Sequence, residues 1–245
     1  MTLRIAMWSG PRNLSTALMR AFENRPDTTV VDEPFYACYL EATGLEHPGR
    51  DAILASQPRR WGEVQRALLT EETGSAVQYQ KHMTQHLLAD VGLDFLASLR
   101  NAFLIRDPAR IIASYLRVRP LEDFAELGLD RQFELYRYCC HQLGSPPPVV
   151  DAAALQEDPG AILAALCAAL ELPFDEAMLA WPPGRRDSGG VWGPWWYEQV
   201  WASTGFAPPD RPEIPEVPAR YRADLARVRA YYEEMLANAV GVAAV

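Results

Sequence analysis

Cysteine is scarce and unpatterned in this chain. Its four cysteines, Cys38, Cys139, Cys140 and Cys167, form no C-x-x-C pair and have no histidine cluster at zinc spacing nearby. That excludes the common zinc modules and a dithiol redox motif, so the four read as reduced, buried thiols and no metal is expected. Long apolar runs are missing too: the longest, Ala161 to Leu170, falls well short of the roughly 20 residues a membrane span needs. Met1 to Trp8 is too short for the apolar region of a signal peptide, and a cytoplasmic protein is expected. There are neither low-complexity tracts nor repeats. Net positive charge is absent as well. The formal net charge of −9 disfavours nucleic acid and anionic membranes as partners. Arginines nevertheless pair up locally at Arg106/Arg110, Arg117/Arg119 and Arg185/Arg186, which in an acidic chain points to a small anionic ligand.

What is present is an ordinary globular composition, 49% apolar and 22% charged over 245 residues. One α/β domain spanning 1–245 is the expectation. Apolar runs alternate with helical patterns, the mark of a mainly parallel sheet covered by helices on both faces, a three-layer α/β/α arrangement. Strands are expected at Leu3–Trp8, Thr28–Asp32, Ser75–Lys81, Ala102–Ile105 and Val149–Val150. Helices are expected at Ser15–Asn24, Pro108–Arg117, Pro159–Leu170 and, closing the chain, Arg220 to about Ala239. The stretch from about 181 to 218, rich in Pro, Gly and Trp, reads as a large ordered loop or lid.

Residues Leu3 to Arg20, LRIAMWSGPRNLSTALMR, carry the densest signal. A strand breaks at Ser9-Gly10-Pro11 and a helix begins at Ser15-Thr16. Such a turn aims free backbone N–H groups and the positive end of a helix dipole at one point, where a phosphate or sulfate can sit. Arg12 adds a planar cationic fork there. The nucleotide-binding P-loop places Gly-Lys-Ser/Thr after Gly and four residues, and this loop has Ser15-Thr16 where the Gly-Lys should stand. It is a P-loop-like anion loop without the NTPase signature.

In open α/β sheets ligands bind beyond the carboxyl ends of the strands. Those ends here carry Ser9 to Thr16, Glu33, Lys81-His82 and Arg106. Singly, each has an ordinary structural reading; Arg106, for one, has Asp107 beside it as a ready ion-pair partner. Together they put one anion loop, two cations, a carboxylate and an imidazole on one rim.

These residues resemble those of the sulfotransferases that use 3′-phosphoadenosine 5′-phosphosulfate. Pro11-Arg12-Asn13-Leu14-Ser15-Thr16 is similar to the family's 5′-phosphosulfate loop, with Arg12 in place of the catalytic cation and Leu14 where the family has glycine. Arg106 and Ser114, in IRDPARIIASYL, resemble the strand-end arginine and helix serine that hold the donor's 3′-phosphate. Arg185 and Arg186, in RRDSGGVW, have the spacing of the family's Arg-Lys-Gly loop over the same phosphate, although Asp187 and Val191 depart from it. The segment Val149 to Phe174 resembles the family's late strand and helix. The resemblance implies a donor-dependent sulfuryl transfer to a hydroxyl or amine of a small-molecule acceptor, with no metal. It implies donor contacts from Arg12, Asn13, Leu14, Ser15, Thr16, Arg106, Ser114, Arg185 and Arg186. Lys81 would be a second cation for the leaving group.

Two residues compete as the base. His82, in YQKHM, matches the histidine of members acting on phenols and steroids, and Glu33, in VVDEPF, resembles the carboxylate of some members acting on sugars. Imidazole titrates near neutrality and needs the least tuning, which puts His82 slightly ahead. His86 follows His82 at helical spacing, but Met83 stands where a H-E-x-x-H metalloprotease has glutamate, so His86 reads as structural. His47 and His141 are assigned no role. The aromatic segment Val191 to Trp201 reads mostly as a plug of the core, with a lid stacking on a ligand as its functional alternative. Two rival functions remain, an ATP-dependent kinase of small metabolites and a binding protein that kept the fold without turnover. A second copy of the chain stays open as a partner.

Overall fold

The computed structural model describes residues 2–208 and 213–241. Five strands, β1 (Leu3–Ser9), β2 (Thr28–Asp32), β3 (Val77–Met83), β4 (Arg100–Ile105) and β5 (Val149–Asp151), form one sheet in the order β2-β3-β1-β4-β5. Every pairing is parallel. This is the expected α/β architecture. β3 runs two residues further than the sequence pattern indicates, a difference with consequences for the site.

Alternation along the strands builds the two faces of the sheet. Ile5, Met7, Tyr79, Ala102, Leu104 and Val150 enter one core, where they meet Leu18, Met19 and Phe22 of α1 (Ser15–Glu23). Ala6, Trp8, Phe103, Ile105 and Val149 enter the other. Strands buried on both faces are what an all-parallel sheet requires.

Three helices follow β2: α2 (Tyr36–Thr43), α3 (Arg50–Ser56) and α4 (Trp61–Thr70). β4 leads into α5 (Pro108–Leu116) and α6 (Leu129–Gln142), and β5 into α7 (Ala152–Glu157) and α8 (Pro159–Ala169). Pro108 and Pro159 sit in the first turns, where the missing N–H is no loss. Asp107 caps α5 by accepting from the N–H groups of Ala109 and Arg110, so its carboxylate is used for helix initiation and not to neutralise Arg106. The aromatic segment forms two short helices, α9 (Gly193–Trp196) and α10 (Glu198–Ala202), and α11 (Arg222–Leu236) follows. Residues 209–212 of the expected lid lie outside the described residues. None of the described helices is long and apolar enough to cross a membrane.

Because β1 lies between β3 and β4, the chain leaves the sheet in opposite directions on its two sides. That opens a crevice at the end of β1, the site favoured for ligands in such sheets. The loop there is held tightly. A Cβ on Gly10 would stand 2.6 Å from the Leu127 carbonyl oxygen, so only glycine allows this approach. Asn13 Nδ2 donates to the Leu104 carbonyl at 2.5 Å, and Gln132 Nε2 bridges the carbonyls of Trp8 and Leu104.

Candidate active site

Arg12 and Leu14 adopt left-handed backbone at φ 60° and 59°, a conformation unfavourable for side chains other than Gly, Asn or Asp. Strain of this kind persists where the surroundings enforce it, and it turns successive N–H groups to one side of a loop. Leu14 is the N-cap of α1 yet supplies no capping side chain, and Ser15 and Thr16 of the first turn line the adjoining cavity. The helix's leading N–H groups and dipole therefore face an open space of about 600 Å³.

Arginines surround that space. Arg12 Nε donates to Ser114 Oγ at 3.1 Å, and Arg106 Nη1 donates to the Arg12 carbonyl at 2.7 Å, so the anion loop, the end of β4 and α5 converge. Arg106 Nε is buried without a hydrogen-bond partner. Burial and then Arg117 lower the Arg12 pKa; burial and then Arg110, Arg12 and Arg117 lower that of Arg106. Among the described residues, Arg12, Arg106 and Arg117 have no acidic partner within ion-pair distance. Guanidinium groups held together against their mutual repulsion form a receptor for anions.

The opposite wall centres on Lys81, the single lysine in the chain. Parallel register places Asp32 beside Lys81, and Lys81 Nζ contacts Asp32 Oδ1 at 2.8 Å, Glu33 Oε1 at 2.6 Å and the Tyr197 hydroxyl at 2.7 Å. The Tyr197 hydroxyl lies 2.7 Å from Asp32 Oδ2 and 3.0 Å from Glu33 Oε1, and it accepts from Trp192 Nε1 at 2.9 Å. Burial opposes the Lys81 charge, but the two carboxylates outweigh it and raise the pKa, so the group stays an ammonium. Burial, followed by Asp32 and Glu33, raises the Tyr197 pKa well above the ordinary phenol value. Glu33 sits at φ 42°, and its Oε1 is occupied while Oε2 lies 3.9 Å from His86 Nδ1. Lys81 is thus a clamp that aims a carboxylate and ties α9–α10 to the sheet, more than the free second cation expected from the sequence.

His82 is not part of this wall. β3 extends through it, and alternation sends its ring to the face opposite Lys81. It is fully buried there, stacked on its register partner Trp8 at 4.2 Å and beside Phe35 at 5.5 Å, with Nε2 at 3.1 Å from Gln80 Oε1. Burial, with His86 and Lys81 adding, lowers its pKa to about 3. An imidazole outside the cavity has no access to an acceptor's proton, and the expectation that His82 is the base is corrected. His82→Phe should leave anion binding at the loop unchanged within about twofold, since additivity holds for sites without shared partners; calorimetric titration with adenosine 3′,5′-bisphosphate measures it.

Arg185 and Arg186 also fall outside the cavity, a second correction. The segment that carries them is fastened by bonds from Trp181 N to Thr204 O, from Gly184 N to Trp201 O and from Gly190 N to Asp32. Ser188 is bonded to Glu23 and Arg20. Arg185 lies over the ring of Trp201 at 4.4 Å. The neighbouring segment lines the cavity instead through Trp196, Tyr197, Gln199, Val200, Ser203 and Phe206. Trp192 is buried as a core plug, whereas Trp195 is exposed. Tyr36, His47 and His86, given no role or a structural one on the sequence, also line the cavity. Their separation along the chain hides the convergence.

Comparison with known proteins bears on the family and the fold. A family model described as a sulfotransferase domain matches residues 3–239. Branched-chain-amino-acid aminotransferase-like protein 1 of Arabidopsis thaliana is 41% identical over 207 residues, which is 84% of this chain and 37% of that protein. The chain therefore spans little more than a third of the length of that curated relative. Among solved structures, the sulfotransferase domain of the Synechococcus PCC 7002 olefin synthase superposes with a TM-score of 0.58 at 17% identity, covering 95% of this chain and 96% of that one. The sulfotransferase domain from the curacin biosynthetic pathway gives 0.53 at 15% identity, covering 94% and 97%. At these identities the two structures establish the shared fold.

Proposed function

The chain belongs to the sulfotransferase domain family, and from that premise we propose that it transfers a sulfuryl group from 3′-phosphoadenosine 5′-phosphosulfate to a hydroxyl or amine of a small-molecule acceptor. One observation carries the reading: a strained anion loop and three arginines without acidic partners share a cavity with a clamped carboxylate. Sulfuryl transfer asks for little more than alignment and charge stabilisation. In the proposed reaction the acceptor atom forms a bond to sulfur. The bond from sulfur to the bridging oxygen breaks, its electron pair stays on the departing phosphate, and the acceptor's proton passes to Glu33. Arg12 and the N–H groups of the loop would offset the charge that grows on the phosphate. Arg106 and Ser114, both on the cavity wall, suit the donor's second phosphate, which ATP lacks.

The rival readings fit less well. A P-loop kinase draws on a loop lysine, and the single lysine here is tied to Asp32 and Glu33. The relative's name suggests aminotransferase chemistry, which needs a lysine able to reach its free amine form. Lys81 is buried and held as an ammonium. A binding protein without turnover would have little use for a carboxylate held at the cavity wall.

Calorimetric titration with adenosine 3′,5′-bisphosphate and with ATP tests the donor. The bisphosphate should bind and ATP should bind much more weakly. Arg106→Ala should weaken the bisphosphate by about 10- to 150-fold, the weight of a charge-assisted bond. Equal affinity for ATP would overturn the donor assignment. Transfer of labelled sulfate to a hydroxylated metabolite library separates an enzyme from a binding protein.

A further inference from the structure

The half of the cavity beyond Glu33 differs in charge and hydrogen bonding from the half lined by arginines. His86 is 3% exposed and held between the rings of Tyr36 and Tyr39, at centroid distances of 4.4 and 5.0 Å. Its Nδ1 has no hydrogen-bond partner and stands 3.9 Å from Glu33 Oε2. His47 shares Nδ1 with the Tyr36 hydroxyl at 2.8 Å, while its Nε2 is buried and unpartnered. Gln85 Oε1 is buried and unpartnered too. All three residues line the same cavity. A buried polar atom left unsatisfied costs about 1–3 kcal/mol, so three together describe the partner they await.

None of the three is charged. Burial lowers the pKa of both histidines, with Arg119 acting further on His47, and with His47 and Lys81 acting further on His86. The cation on this side, Arg119, is paired with Glu126 at 3.5 Å. At Glu33, two carboxylates face one ammonium. Burial raises the Asp32 pKa, and among the described residues both cations near this half, Lys81 and Arg119, are already paired, so an anionic acceptor would find no free counter-charge here. A cationic one would find no unpartnered carboxylate beyond Glu33 itself, which the reaction uses.

We propose that this half of the cavity binds an uncharged acceptor, a compact ring bearing at least two hydroxyl groups, and that His86 orients the hydroxyl that reacts. This rests on the sulfotransferase reading and specifies its acceptor. An oxygen about 2.8 Å from each of two atoms is a normal hydrogen-bond geometry, and the 3.9 Å gap between Glu33 Oε2 and His86 Nδ1 admits one. In the tautomer protonated at Nδ1, His86 donates to the hydroxyl oxygen while the hydroxyl donates to Glu33. The remaining hydroxyl meets His47 Nε2 or Gln85 Oε1, and the ring lies against the aromatic wall.

The full chain is first titrated with adenosine 3′,5′-bisphosphate, and the saturated complex is then titrated with three series on one cyclohexane frame: diols and triols, hydroxy acids, and amino alcohols. The diols and triols should bind at least about tenfold more tightly than either charged series, about 1.4 kcal/mol. His86→Phe keeps the ring stack and should weaken diol binding by about tenfold, the weight of one lost hydrogen bond. It should leave bisphosphate affinity unchanged, and His86→Gln should restore part of the loss. Equal or tighter binding of a charged series overturns the proposal, as does an intact bisphosphate complex that takes up no diol or triol. A chain that fails to bind the bisphosphate at all overturns the sulfotransferase reading beneath it.

Discussion

Glu33→Gln is expected to lower turnover by about 10²- to 10⁴-fold, the usual contribution of a positioned general base, while bisphosphate affinity stays near that of the unaltered chain. The expectation follows from how the carboxylate is held. Lys81 Nζ at 2.6 Å and the Tyr197 hydroxyl at 3.0 Å occupy Oε1, and the backbone at φ 42° gives the side chain its exit angle. Oε2 is then the atom left to take a proton. Glutamine preserves the shape and removes that capacity. Lys81 keeps Asp32 as a partner in the variant, so the fold should survive. Initial rates of sulfate transfer and calorimetric donor titration on the same preparation separate the two effects. Full activity in Glu33→Gln would refute Glu33 as base and move attention to His86, whose Nδ1 stands 3.9 Å from Glu33 Oε2.

Lys81→Met is expected to destabilise the fold by about 3–5 kcal/mol, the cost of removing one partner from a buried ionic cluster. Asp32, Glu33 and Tyr197 all bond to this one ammonium, and each is buried. Methionine fills much of the same volume but leaves two carboxylates facing each other without a counter-charge. The loss should appear as a lower urea midpoint, and as a fall in melting temperature of about 6–20 °C for a chain of this size. Tyr197 joins the same cluster, so protection of the 192–202 amides from hydrogen exchange should fall more than that of β1. A variant as stable as the unaltered chain would mean that the clamp contributes specificity and not stability.

Much of the fold was legible along the chain because its signals are local. Thr28 to Asp32 is β-branched and ends at Glu33-Pro34, and Pro108 and Pro159 mark first helical turns. The break at Ser9-Gly10-Pro11 announces the anion loop, and Arg12 after β1, Arg106 after β4 and Ser114 in α5 converge. The errors came where one residue of register decides the face. Ending β3 at Lys81 would free His82 to face the cavity; pairing through Met83 turns it toward Trp8. Local spacing likewise placed Arg185 and Arg186 near the donor, whereas bonds reaching back to Glu23 and Asp32 carry that turn elsewhere.

From the order of residues alone came a parallel α/β sheet and a turn suited to anions, because periodicity, breakers and helix starts act over a few neighbours, while the family came from the resemblance of motifs such as Pro11–Thr16 and Arg106/Ser114. Which carboxylate is aimed, which imidazole is sealed away and which neutral groups await an acceptor were settled by packing. Those outcomes depend on contacts between Asp32, Lys81 and Tyr197 or between Tyr36, His47 and His86, and burial sets the strength of each such contact.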